Sequence, residues 1–183
     1  MGMAAPTYYT ADMVRQMPDD GNKYEVVHGE LLVTPAPRLW HQVLAQRFSA
    51  ALGEYLEHEP VGHVFATRSD ISWGLEDVLV EPDVLVAPLD HVRTLDWAEI
   101  RHLLLAVEIL SPSSVRYDRF TKRLLYQEHG VPLYWIVDGD AHSVELWRPE
   151  DRFPQIERER LVWHPVGTAT PFNLELEELF KPI

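Results

Sequence analysis

Apolar positions change period several times along the chain, and each change marks an element. From Trp40 to His58, Val43, Leu44, Phe48, Ala51, Leu52, Tyr55 and Leu56 recur at three- and four-residue spacing, the period of an amphipathic helix with one core face. Leu103 to Leu110 is apolar at every position except Glu108, as expected of a strand buried on both faces and central in its sheet. Leu133 to Asp138 reads as a second buried strand. Pro112 ends the first of these, and Arg116 to His129 predicts a helix with Phe120, Leu124 and Leu125 facing the core and Gly130 just beyond its end. Strand, helix, strand over residues 103–138 implies a right-handed parallel crossover.

Shorter patterns fill the rest. Residues 1–22 read as an N-terminal arm with one short helix, Ala11 to Met17 capped by Thr10 and closed by Pro18-Asp19-Asp20-Gly21; residues 23–183 then form one domain. Tyr24 to Val27 and Leu31 to Thr34 predict a hairpin around His28-Gly29-Glu30. Further strands are expected at His63 to Thr67, Asp70 to Trp73, Val84 to Val86, Ser143 to Trp147 and Arg158 to Trp163, with an acidic, partly helical connection over 88–102.

Composition narrows the chemistry. The 183 residues include 46% hydrophobic and 25% charged residues, which suits one globular domain with a sizeable core. The longest apolar run, Leu103 to Val107, is far too short to span a membrane, and no signal-peptide pattern opens the chain; a cytoplasmic protein is expected. Cysteine is absent, which excludes disulfides, thiolate zinc sites and cysteine nucleophiles. A formal net charge of −13 argues against a protein that coats nucleic acid with a broad basic face. The charge is uneven: Glu54 to Ile100 carries eleven acids against two bases, whereas Arg116, Arg119, Lys122 and Arg123 face only Asp118 and form the best candidate for phosphate contacts.

Glu108 stands out, because an ionised carboxylate in an apolar strand is costly unless a cation or hydrogen-bond donors compensate it. A structural salt bridge would satisfy it equally well. Asp83 follows Pro82 at the start of Val84-Leu85-Val86, so its carboxylate can be aimed at a neighbouring strand. Two carboxylates on adjoining strand ends suit Mg²⁺ or Mn²⁺, which bind through one or two carboxylates and keep several waters. Glu30 adds a third acid, although locally it reads as a solvated hairpin charge. Asp118, Lys122 and Tyr126 fall at i, i+4 and i+8 on one helical face, opposite Phe120 and Leu124. His41 opens the long helix and could assist a ligand or a phosphate, or simply cap or fill the core. No G-x-S-x-G, P-loop, G-x-G-x-x-G or H-E-x-x-H pattern is present.

The ordered set Tyr24-Glu25-Val26-Val27-His28-Gly29-Glu30-Leu31, Glu81-Pro82-Asp83-Val84, Val107-Glu108-Ile109-Leu110-Ser111-Pro112-Ser113, then Asp118, Lys122, Tyr126 and Gly130 to Asp138, resembles the Uma family of bacterial restriction-endonuclease-like proteins in the PD-(D/E)XK nuclease superfamily. The resemblance covers roughly residues 22–150. It implies an α/β restriction-endonuclease-like core, a four-stranded mixed β-sheet flanked by helices, with Glu30, Asp83 and Glu108 around a divalent metal. Asp83 matches the D of PD and Glu108 the E of (D/E)XK. Leu110 stands where the superfamily has its Lys, and the resemblance points to Lys122 as the relocated Lys; His28 replaces an Asp common in the hairpin.

The leading expectation is therefore a metal-dependent endonuclease acting on DNA. Asp83, Glu108, Glu30 and the Ile109 carbonyl would hold Mg²⁺ or Mn²⁺, with Asp83, Glu108 and Lys122 catalytic. Lys122 would orient the attacking water or stabilise developing charge, Tyr126 would buttress Lys122 or touch the substrate backbone, and Arg116, Arg119, Arg123 and His41 would contact phosphates. The rival expectation is a non-catalytic nuclease-like binding module or homodimerisation module, which the acidic charge favours. A third keeps Glu108 paired directly with Lys122 in a buried ion network.

Overall fold

The computed structural model describes residues 7–66 and 68–183. Helix α1 (Ala11–Arg15) precedes the hairpin strands β1 (Lys23–Val27) and β2 (Glu30–Thr34), the long helix α2 (Leu39–His58), β3 (Gly62–Phe65), β4 (Val84–Pro88) and the short α3 (Leu89–Val92). Then come β5 (Leu105–Ile109), a π-helical turn at Tyr117–Lys122 that runs into α4 (Arg123–Glu128), β6 (Tyr134–Asp138) and β7 (Ser143–Trp147). Strands β8 (Gln155–Glu157), β9 (Arg160–Trp163) and β10 (Phe172–Glu175) and helix α5 (Leu176–Phe180) end the chain.

Six strands form one mixed sheet in the order β3-β4-β5-β6-β7-β8, two more than the four-stranded core expected. Strands β5 and β6 pair in parallel, Ala106 against Tyr134 to Ile109 against Val137, as a strand-helix-strand order requires; the other neighbours are antiparallel. The apolar run around Glu108 is thus a central strand, with every residue of β5 buried. Its alternation sorts side chains into two layers. Leu105, Val107 and Ile109 join Val84, Val86, Trp135 and Val137 under α2 and α5, in the layer that also receives Leu44, Phe48 and Leu52. Ala106 joins Leu85, Ala87 and Ile136 on the opposite face, under the β1–β2 hairpin, Leu125 and Tyr126.

The hairpin turns through His28 and Gly29, whose φ values of 49° and 78° both lie in the left-handed region that mirror-image two-residue turns need. It is a separate two-stranded element, bridged to the following loop at Val26 and Leu79. The arm docks beside it, with Ala11 and Val14 buried against Val26 and Leu79, and Thr10 caps α1 by accepting from Met13 N. Helix α1 ends at Arg15 instead of reaching Met17.

Three local expectations are corrected. Asp70 to Trp73 forms a single bridge, Ile71 with Val80, and no strand. Phe120 and Leu124 are 60% and 56% exposed, while Asp118, Lys122, Leu125 and Tyr126 are buried. A helical reading allows either face inward; the one carrying Leu125 and the larger Tyr126 ring packs on the sheet, and Asp118 and Lys122 go in with it. The strand ending at Thr67 stops at Phe65, and Thr67 and the first six residues of the arm lie outside the described residues. Arg160–Trp163 forms a two-stranded ribbon with β10. Among the described residues, no helix is long and apolar enough to cross a membrane.

Candidate active site

Strand pairing decides where the two key carboxylates stand. Val84 pairs with Val107 and Leu85 with Ala106, and one step further along this antiparallel register Asp83 stands opposite Glu108. By alternation both share the face of Leu85 and Ala106, beneath the hairpin. Asp83, Glu108, Ile109, His41 and Lys122 all line one cleft of about 260 Å³.

Each carboxylate is held by fixed partners. Asp83 Oδ2 accepts from Ile109 N at 2.8 Å and contacts His41 Nε2 at 3.0 Å, so the first turn of α2 and the end of β5 both orient it. Its Oδ1 accepts from Lys23 Nζ at 3.0 Å. Glu108 Oε1 accepts from Lys122 Nζ at 2.9 Å and from the Tyr126 hydroxyl at 3.1 Å. Lys122 Nζ also reaches Glu25 Oε2 at 2.8 Å and Asp118 Oδ1 at 3.5 Å. Glu25 Oε1 accepts from Glu81 N, which ties β1 to the entry of β4. The Tyr134 hydroxyl donates to the Asp118 carbonyl and pins the π-helical turn onto β6.

Burial and crowding shift these groups strongly. Burial would strip the proton from Lys122, yet Glu108, Glu25, Asp118 and Asp83 hold it protonated well above the ordinary lysine value. Burial would likewise raise Asp83, but Lys23 and His41 keep it ionised, far below the usual carboxylate range. Glu108 is pushed up to about 8 by burial, with Asp83 and Asp118 adding to the shift against Lys122 and Lys23. Asp118 is also raised, by burial first.

Four buried or nearly buried carboxylates, Glu25, Asp83, Glu108 and Asp118, thus share two ammonium groups, Lys23 and Lys122. Both Asp118 carboxylate oxygens and His41 Nδ1 are buried without a hydrogen-bond partner. Positive charge is in deficit here. Among the described residues no three His, Asp or Glu side chains converge as a ready-made metal set. A hard cation that keeps most of its waters needs only the Asp83–Glu108 pair, and the charge deficit together with the orphaned Asp118 oxygens fits such a guest.

Other expected residues fall elsewhere. Glu30 is exposed beside the hairpin turn and does not line the cleft, a correction with a plain cause: it sits at the turn end of the ladder, paired with Val27 and two pairs beyond Glu25, which lines the cleft instead. Tyr126 is buried behind Glu108, where it buttresses that carboxylate and cannot touch a substrate. The three arginines do not reach this cleft. Arg119 bonds Glu145 at 2.7 Å and lines a neighbouring cleft, Arg123 stacks 4.7 Å over Trp147, and Arg116 is exposed. Lys23, Glu25 and Glu81 are site residues that the sequence reading did not single out. Period two along β1 carries the missing signal, since Lys23 and Glu25 share a side with buried Val27.

Residues 11–177 match the Uma2 family, described as "Putative restriction endonuclease". The chain belongs to the Uma2 family. Among solved structures, this Uma2 protein is similar to the crystal structure of "a putative nuclease belonging to DUF820" from Anabaena variabilis ATCC 29413, with a TM-score of 0.73 and 22% identity over 94% of this chain and 97% of that one. At that identity the likeness establishes the fold. None of the curated proteins compared with it matches. The α/β restriction-endonuclease-like fold, a mixed sheet flanked by helices, is as expected.

Proposed function

We propose that this Uma2 protein is a divalent-metal-dependent endonuclease that hydrolyses DNA phosphodiester bonds. The observation that carries the reading is the opposition of Asp83 and Glu108 on one face of adjoining strands, with Lys122 and His41 fixed against them. Held by Asp83, Glu108 and the Ile109 carbonyl, Mg²⁺ or Mn²⁺ would polarise the scissile phosphate and acidify the attacking water. The protein's own groups supply the rigidity. His41 and the Ile109 amide fix the Asp83 carboxylate, and Tyr126 and Lys122 fix Glu108. Lys122 spends its donors on carboxylates, so it acts as a positioning residue.

The test is cleavage of plasmid and single-stranded DNA with Mg²⁺ or Mn²⁺ by wild type and Asp83→Asn. Metal-dependent cleavage lost in Asp83→Asn supports the reading, and a wild type inactive on both substrates with either metal overturns it.

One observation favours a second reading, a nuclease-like binding module without catalysis. Lys122 is 2% exposed and already paired with Glu25 and Glu108. A gel-mobility shift of the same DNA substrates by a wild type that cleaves neither would select it.

A further inference from the structure

Lys23 stands where the proposed reaction needs a different cation. Its Nζ lies 3.0 Å from Asp83 Oδ1, 3.8 Å from Glu108 Oε2 and 3.1 Å from the Glu81 carbonyl. It therefore bridges the two carboxylates that face each other across β4 and β5. An ammonium at this distance and a divalent ion bound to the same oxygens exclude each other by charge and by volume.

Lys23 is also the member of the cluster able to leave. Its side chain is 25% exposed, against 2% for Lys122. It opens β1 directly after Gly21 and Asn22, which line the mouth of the same cleft. Lysine carries a point charge on a flexible four-carbon stem, so its head can swing into solvent while the backbone stays in the hairpin. Lys122, held by Glu25, Glu108 and Asp118, has no such route.

We propose that Lys23 is an internal cation that occupies the Asp83–Glu108 position and must be displaced before a divalent metal binds there. This rests on the metal-dependent reading above and adds the residue that sets metal affinity. In the metal-free protein Lys23 holds two opposed carboxylates together, and metal binding exchanges one cation for another. The exchange makes affinity for the metal weaker than the two carboxylates alone would give.

The test measures Mn²⁺ binding to the full chain by electron paramagnetic resonance for wild type, Lys23→Met, Lys23→Arg and Asp83→Asn. Lys23→Met should bind Mn²⁺ at least about tenfold more tightly than wild type, Lys23→Arg should stay near wild type, and Asp83→Asn should lose the site. If Lys23→Met proves too unstable without metal, reductive methylation of wild type mapped by mass spectrometry gives the same answer. Lys23 should be protected in chelator and modified once Mn²⁺ is added. Asp83-dependent Mn²⁺ binding that is no tighter in Lys23→Met, or methylation of Lys23 indifferent to Mn²⁺, overturns the role of Lys23 and leaves the nuclease reading standing. Absence of Asp83-dependent binding in every form overturns both.

Discussion

Glu25 Oε2 and Lys122 Nζ meet at 2.8 Å with only 1% and 2% of their side chains exposed. A desolvated pair of this kind is expensive to break from one side, because the partner is left charged and unsolvated. Lys122→Ala should therefore cost roughly 3 to 5 kcal/mol in urea unfolding. Pairing it with Glu108→Gln should restore part of that loss, and the non-additivity of the double variant measures the coupling.

The exposed placement of Phe120 and Leu124 makes a contrast that is simple to check. Phe120→Ser and Leu124→Ser should each change unfolding free energy by less than about 0.5 kcal/mol, as surface positions do. Leu125→Ala, at a position 1% exposed, should cost roughly 2 to 5 kcal/mol.

Stability should fall as the pH rises above about 5. Glu108 is raised to about 8 by burial and its acidic neighbours, and Glu81 to about 7 by burial and Glu25. A carboxyl raised on folding keeps a proton that the unfolded chain has released, so its stabilisation is complete below the unfolded pKa and is lost as the pH climbs through the folded one. Asp83 is depressed and acts with the opposite sign, its stabilisation being lost only as the pH falls below the ordinary aspartate range. Urea titrations at intervals from pH 5 to pH 8.5 should show the decline, and Glu108→Gln should flatten its upper part.

Divalent metal should relieve that decline. Saturating Mn²⁺ at neutral pH should raise Tm, by the equivalent of about 2.7 kcal/mol at 100 times Kd. Calorimetry of wild type and Asp83→Asn checks it, since the shift should vanish in the variant.

Much of this arrangement was legible from residue order alone. The β5 and β6 runs are apolar on both sides and flank a helical stretch, so a parallel pair buried in the sheet followed directly. Glu108 was readable because it interrupts such a run, and Asp83 because it follows Pro82 at the start of Val84-Leu85-Val86. The helical segment was harder: its apolar Phe120 and Leu124 pointed the wrong face inward, and only tertiary contact with Glu108 and Glu25 selects the face with Lys122. Lys23 and Glu25 were missed because charged residues in a short hairpin strand look solvated until its period-two register with buried Val27 is set against the sheet. Strands β8 and β10 and helix α5, at three to five residues, are too short to carry a period.

The hairpin's separateness gives the electrostatic cluster a mechanical meaning. Beyond its own ladder, β1 is attached through the Val26–Leu79 bridge, and Gly29 N donates to the Asp77 carbonyl. Peeling it away would break few backbone bonds, yet it would pull Glu25 off Lys122 and Lys23 off Asp83 at once. The cluster therefore works as a latch, and amides of β1 should exchange with solvent in step with those of α4 and not as an independently fraying flap.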